Sequence, residues 1–248
     1  RRYETLMETY FVIDAENEDL VNNWILNLTV ALHPANLVKP GSHQEFESQL
    51  TMFPDIHRGV KDQLLLSLDS NKKGKPMINL ADVQRAKGPI PYKHVMWILS
   101  RLYNLTCFLQ VQKVVNLNIC PESCYIEPRM HDLVLLDGWQ YTKELGQPAM
   151  AAPPRAVQIC PELKVTKTPT VQTMLKMIKA TGLELLGDIH GVNLLRDPKL
   201  PAALINWLMA PTGTDAIKEF SAYAAIRDSI APRKFEEWPL QFNDVYKD

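Results

Sequence analysis

Between Pro91 and about Asn118, apolar residues recur at every third or fourth position: Val95, Ile98, Leu99, Leu102, Leu105, Phe108 and Leu109. That spacing paints a wide stripe along a 3.6-residue helix, and a stripe this wide predicts a central post around which other elements pack. The β-branched pair Val114-Val115 predicts that the end of the post frays into extended chain. A chain of 248 residues, 46% of them hydrophobic, has enough material to cover such a post without cross-links. The same composition, with 22% charged residues and a net charge of −1, excludes a disordered chain, a collagen-like repeat and a disulfide-dense module. It also argues against a protein that coats nucleic acid with its whole surface.

Other helices are expected around this post. Leu20, Val21, Trp24, Ile25, Leu28 and Leu32 predict one over 18–33, stopped by Pro34. Ser42-His43-Gln44-Glu45 has the spacing of a capping box and opens a second, with Phe46, Leu50 and Phe53 inward. Pro54 starts a third, with Ile56, Val60 and Leu64 buried, which ends near Asp69. Thr168 and Pro169 open a helix carrying Val171, Met174, Leu175 and Ile178, and Gly182 ends it. Further helices are expected over Leu183–Leu195, over Pro201–Met209 and from Thr214.

The extended signal is smaller. Leu133–Leu136, Asp137-Gly138 and Trp139–Tyr141 read as a hairpin, because Asp-Gly tolerates the positive φ of a type I′ turn. Pro148, Pro153, Pro154, Pro161 and Pro169 predict a stiff connector with one edge strand at Ala156–Ile159. The expected fold class is mainly α: two helical lobes joined by a Pro-rich extended segment, with a small β-hairpin. The lobes are assigned to 1–145 and 170–248, with 146–169 as connector.

Four cysteines in a chain of this length, Cys107, Cys120, Cys124 and Cys160, fit a reducing compartment. No stretch is long and apolar enough to span a membrane. An intracellular location is therefore expected, cytoplasmic or within a virus particle, with no membrane partner. Cys120 and Cys124, with His131 beyond them, could hold zinc if another cysteine completed the tetrahedron. Gly187-Asp188-Ile189-His190-Gly191 resembles the first metal-binding signature of the calcineurin-like metallophosphatases, which implies a dinuclear centre at Asp188 and His190. The further Asp, Asn and His clusters that such a centre needs do not follow Gly191. There is no nucleophile elbow and no phosphate-binding loop, and the 10 glycines are few for a nucleotide cradle.

Two basic clusters stand out against the neutral total. Lys72, Lys73, Lys75, Arg85, Lys87 and Lys93 form one, and Arg155, Lys164, Lys167, Lys176 and Lys179 the other. Together they suggest phosphate contacts in a cleft between lobes. Phe235, Trp238, Phe242 and Tyr246 are many aromatics for a free segment, and they suggest docking on the same lobe or on a neighbouring copy. The leading expectation is therefore a non-enzymatic, cofactor-free structural protein that assembles with itself, a nucleocapsid- or coat-type viral subunit holding single-stranded RNA. A helical adaptor of an intracellular complex is the second expectation, and a metal-dependent hydrolase the third.

Overall fold

Leu64, Leu66 and Leu68 are buried while Leu65 between them is half-buried, which is the period-two pattern of a strand. They lie on β4 (Gln63–Asp69) of a four-stranded antiparallel sheet with β1 (Arg2–Glu4), β2 (Glu8–Asp14) and β3 (Asp55–Arg58), in the order β1-β2-β4-β3. The computed structural model describes residues 2–4, 8–16, 18–22, 24–25, 51–60, 62–69, 76–141, 143–149, 151–231 and 236–246. The helix expected from Pro54 to Asp69 is instead the β3–β4 hairpin, paired from Asp55↔Ser67 to Arg58↔Leu64. Ile56, Val60 and Leu64 are four apart, and that spacing satisfies a helix and an alternating strand equally. Val60 stands at the tip, 77% exposed.

Residues 18–22 and 24–25 are helical, with Val21 buried, so the first expected helix begins as foreseen. Its continuation over 26–33 and the capping box at Ser42 lie outside the described residues. Arg58 on β3 pairs with Glu18 at 2.5 Å and ties this helical segment to the sheet.

The post is α2 (Tyr92–Val111). Val95, Ile98, Leu99, Leu102, Leu105 and Phe108 are fully buried, as are Trp97 and Tyr103, so the helix is covered nearly all round. It packs against α5 (Val171–Leu185) and α7 (Ala216–Ile230). Gly182 makes this possible. A Cβ there would come within 2.8 Å of Leu208 on α6 (Ala202–Met209) and 3.1 Å of Leu99 on α2. Gly182 therefore does not end α5, which runs on to Leu185. The extended run after α2 is β6 (Val114–Val115), paired with β9 (Lys143–Glu144).

A third sheet joins β5 (Ile78–Asn79), β7 (Cys124–Glu127) and β8 (Asp132–Leu135). Here the expected hairpin shifts: β8 pairs back onto β7, Cys124↔Leu135 to Glu127↔Asp132, and Asp137-Gly138 is not its turn. All four residues of β7 are buried, so it carries no alternation to read. Gly138 does adopt positive φ, +86°.

The Pro-rich segment is folded too. Ala156–Ile159 belongs to helix α3 (Pro154–Ile159), and α4 (Leu163–Thr166) follows. Pro153 and Pro154 stand at the N-cap and first turn of α3, where a missing amide loses no helical bond. The architecture is thus mixed α/β, three antiparallel sheets with a helical body, and not two helical lobes with a lone hairpin. Helix α2 from the expected 1–145 lobe packs on α5 and α7 from the expected 170–248 lobe, inside one body. Across it lies the closing segment 236–246, which includes α8 (Phe242–Val245) and buries Leu240.

Candidate functional site

After β6 the chain enters a loop, Asn116 to Ser123, that three elements hold in place. Within it, the Asn118 amide donates to Asn116 Oδ1 at 2.8 Å. From α5, Thr181 Oγ1 donates to the Ile119 carbonyl at 3.2 Å. From the N-cap of α1 (Leu80–Lys87), Asn79 Nδ2 donates to the Glu122 carbonyl at 2.7 Å, while its Oδ1 caps the amides of Ala81 and Asp82. Pro121–Ser123 closes as a 3₁₀ turn. On the facing side the Leu136 amide donates to the Ser123 carbonyl at 2.8 Å, which delivers Asp137 to the loop.

Four polar side chains meet there. Asn118 Nδ2 donates to Ser123 Oγ at 2.8 Å and to Asp137 Oδ1 at 2.9 Å. The Cys120 thiol lies 3.1 Å from Ser123 Oγ and donates to Asn118 Oδ1 at 3.7 Å. Gly138 permits the approach, since a Cβ there would lie 2.4 Å from the Asn118 Cβ. Past it, Trp139 is buried, donates Nε1–H to the Leu135 carbonyl at 2.9 Å, and packs on Phe53 with centroids 4.6 Å apart.

Burial pushes the Cys120 thiol up to about 12 and holds Cys124 well above its ordinary value, so both stay protonated at neutral pH. His131 is turned elsewhere. Its ring packs on Trp97 with centroids 4.9 Å apart, and Nε2 lies 3.3 Å from the Glu236 carbonyl. Among the described residues no three His, Cys, Asp or Glu side chains form a metal-binding group. That leaves the zinc reading of Cys120, Cys124 and His131 unsupported, along with the metallophosphatase reading of Asp188 and His190. Asp188 spends its carboxylate on the backbone amides of His190 and Asn193, at 2.9 Å each, in an exposed turn.

Several of the basic residues are paired with acids. Lys72, Lys73 and Lys75 lie outside the described residues. Arg85 pairs with Asp82 at 2.6 Å and Lys93 with Glu236 at 2.9 Å, while Lys87 is exposed. Arg155 pairs with Glu184, and Lys176 with Glu162 at 2.6 Å. Lys179 is buried, 3.0 Å from Glu219 and 4.0 Å from the centroid of Trp207. Lys164 and Lys167 are exposed. The aromatics expected at an oligomer contact are engaged within the chain: Trp238, Phe242 and Tyr246 pack against its own core, and Phe235 lies outside the described residues. No helix among the described residues is long and apolar enough to cross a membrane.

No family model matches the sequence, and no curated protein matches it. Its fold does have solved counterparts. The chain is similar to the structure of vaccinia related kinase 3, with a TM-score of 0.63 over 90% of this chain and 80% of that one, at 14% identity. The fold is therefore that of a protein kinase, mixed α/β. This finding overturns the mainly α fold class, and with it the expectation of a non-enzymatic coat-type structural protein and its viral and capsid associations.

The side chains that meet in this loop and that the sequence reading missed are Asn118, Ser123 and Asp137. Here the string is Asn116-Leu117-Asn118-Ile119-Cys120-Pro121-Glu122-Ser123, and then Asp137-Gly138-Trp139. The five-residue step from Asn118 to Ser123, before a buried strand and an Asp-Gly, was the available signal. It was faint because asparagine and serine are common residues.

Proposed function

We propose that the chain is a divergent protein-kinase-like domain with a much reduced capacity for phosphoryl transfer. The observation that carries this reading is the meeting of Asn118, Ser123 and Asp137 at the mouth of a kinase-type loop. Asp137 keeps the acid of D-F-G, which in kinases holds magnesium, while Ser123 stands for the loop asparagine that holds the second ion. Asn118 stands where kinases have the aspartate that accepts the proton of the substrate hydroxyl. An amide can orient that hydroxyl through its oxygen but cannot accept its proton. Other parts are altered as well. The sequence has no G-x-G-x-x-G, and the described strands of the N-terminal sheet contain no lysine to meet a nucleotide phosphate.

The metal ions of kinase chemistry do not fit the donors as arranged. The carboxylate and the hydroxyl that would hold magnesium both already accept from the Asn118 amide, and the second is neutral where a strong oxygen donor is wanted. General-base assistance is worth roughly 10²–10⁴ in rate, so turnover is expected at least that far below the roughly 1–100 s⁻¹ of kinases. The test is transfer of labelled phosphate from ATP, in magnesium and in manganese, to the protein itself and to a generic hydroxyl-bearing protein. Labelling by the wild type far below kinase rates, raised in Asn118→Asp and lost again when Asp137→Asn is added to that variant, is the expected result. Kinase-level labelling by the wild type, or an Asn118→Asp protein that labels no faster, overturns the reading.

A further inference from the structure

We propose that the side-chain amide of Asn118 takes the place of a cation in this loop, so that the site is complete without a metal and resists one. This rests on the kinase-like reading of Ser123 and Asp137, and it deepens that reading.

The two oxygens that would hold a divalent ion are Ser123 Oγ and Asp137 Oδ1. Asn118 Nδ2 lies 2.8 Å from the first and 2.9 Å from the second, and donates to both. A carboxamide nitrogen has two hydrogens, each with partial positive charge, and here each has an oxygen to meet. Nothing more is needed to satisfy that nitrogen, and a cation brought to the same place would face two N–H dipoles pointing the wrong way. The amide is held there from behind. The Asn118 backbone is fixed by Asn116 Oδ1, and its Oδ1 accepts from the Cys120 thiol. Burial keeps that thiol protonated, and therefore a donor. Gly138 closes the arrangement, because any Cβ there would strike the Asn118 side chain. An aspartate at 118 would reverse the electrostatics: two carboxylates would face each other at hydrogen-bonding distance, a pair that a proton or a cation between them would relieve.

The experiment uses the full chain and manganese ion as probe, without nucleotide. Thermal unfolding is recorded in EDTA and in millimolar manganese, and bound manganese is counted by electron paramagnetic resonance. The wild type is expected to unfold at the same temperature in both solutions and to bind no manganese that Asp137→Asn abolishes. Asn118→Asp is expected to unfold several degrees lower in EDTA, to regain that loss in manganese, and to lose the response when combined with Asp137→Asn. If Asn118→Asp does not fold, the wild-type count still decides. Sub-millimolar manganese binding by the wild type that disappears in Asp137→Asn overturns the proposal, and so does an Asn118→Asp protein indifferent to both solutions. Neither readout depends on phosphate transfer, so a failure here is separable from a failure of the kinase-like reading.

Discussion

His94 shows how one residue can record the packing around it. Its ring lies flat on Trp238, centroids 4.3 Å apart and planes 3° off parallel, and Nδ1 is buried with no hydrogen-bond partner among the described residues. Burial lowers its pKa to about 4 from the ordinary 6.5, and His131 and Lys93 push the same way while the Glu236 carboxylate opposes them. The neutral ring is therefore the folded form. Above pH 6.5 both folded and unfolded chains carry it uncharged, and it contributes nothing to pH dependence. As pH falls from 6.5 toward 4, the unfolded chain takes up a proton that the folded one refuses. Stability then declines by on the order of 2–3 kcal/mol before levelling off. Replacing His94 with Phe keeps a flat ring against Trp238 and removes the titration. Urea unfolding at pH 7 and at pH 4.5 is expected to show a smaller acid loss for this variant than for the wild type. Equal losses would show that the proton goes elsewhere.

Helices α5 and α7 meet through an ion pair that water barely reaches, Lys179 to Glu219 at 3.0 Å, with side chains 4% and 9% exposed. The ammonium also donates to the Ala210 carbonyl at 3.2 Å, and Glu219 accepts from the Gly213 amide at 3.0 Å, so the loop between α6 and α7 is stitched into the same pair. Desolvation lowers the Lys179 pKa, with Glu219 opposing. Removing one partner strands the other, and Lys179→Met is expected to cost roughly 3–5 kcal/mol, while Lys179→Met with Glu219→Leu together costs far less. Chemical denaturation of the single and double variants measures both. From sequence this lysine reads as part of a basic surface, because charge type is visible in a string and burial is not.

Other elements of the helical body were legible for the opposite reason, although the helix expected over Leu183–Leu195 is the end of α5 followed by turns and a 3₁₀ turn at Leu194–Arg196. The stripes on α2, α5 and α6 have only one periodic reading over their length. The β3–β4 hairpin was not, since its residues four apart fit both periods, and β7 was not, since both its faces are covered. The site was legible only in its spacing. Asn118 and Ser123 are common residues, and what makes them a site is that β8 returns Asp137 to them across the sheet.

Over the whole molecule the sheet and the helical body share a core. Phe53, in the turn before β3, packs edge-on against Phe108 of α2 with centroids 5.7 Å apart and lies over Trp139, while the Leu135 amide donates to the Met52 carbonyl at 2.9 Å. The junction that links the two parts thus engages Leu135 and Trp139, which flank Asp137 and Gly138 in the chain. Phe53→Ala is expected to cost about 3–5 kcal/mol. Hydrogen exchange should quicken first in β3 and β4, with α2 retaining its protection. Uniform acceleration throughout would mean that the junction is no weaker than the rest.

The closing segment has a consequence for how the chain is made. Trp238 covers His94, Leu240 completes the apolar interior, and the Tyr246 hydroxyl donates to Asp82 at 2.7 Å while accepting from the Asn79 amide at 3.1 Å. These residues leave the ribosome after everything they cover. During translation the nascent helical body must therefore pass through an interval with its flank bare, and that interval is when a chaperone would find it.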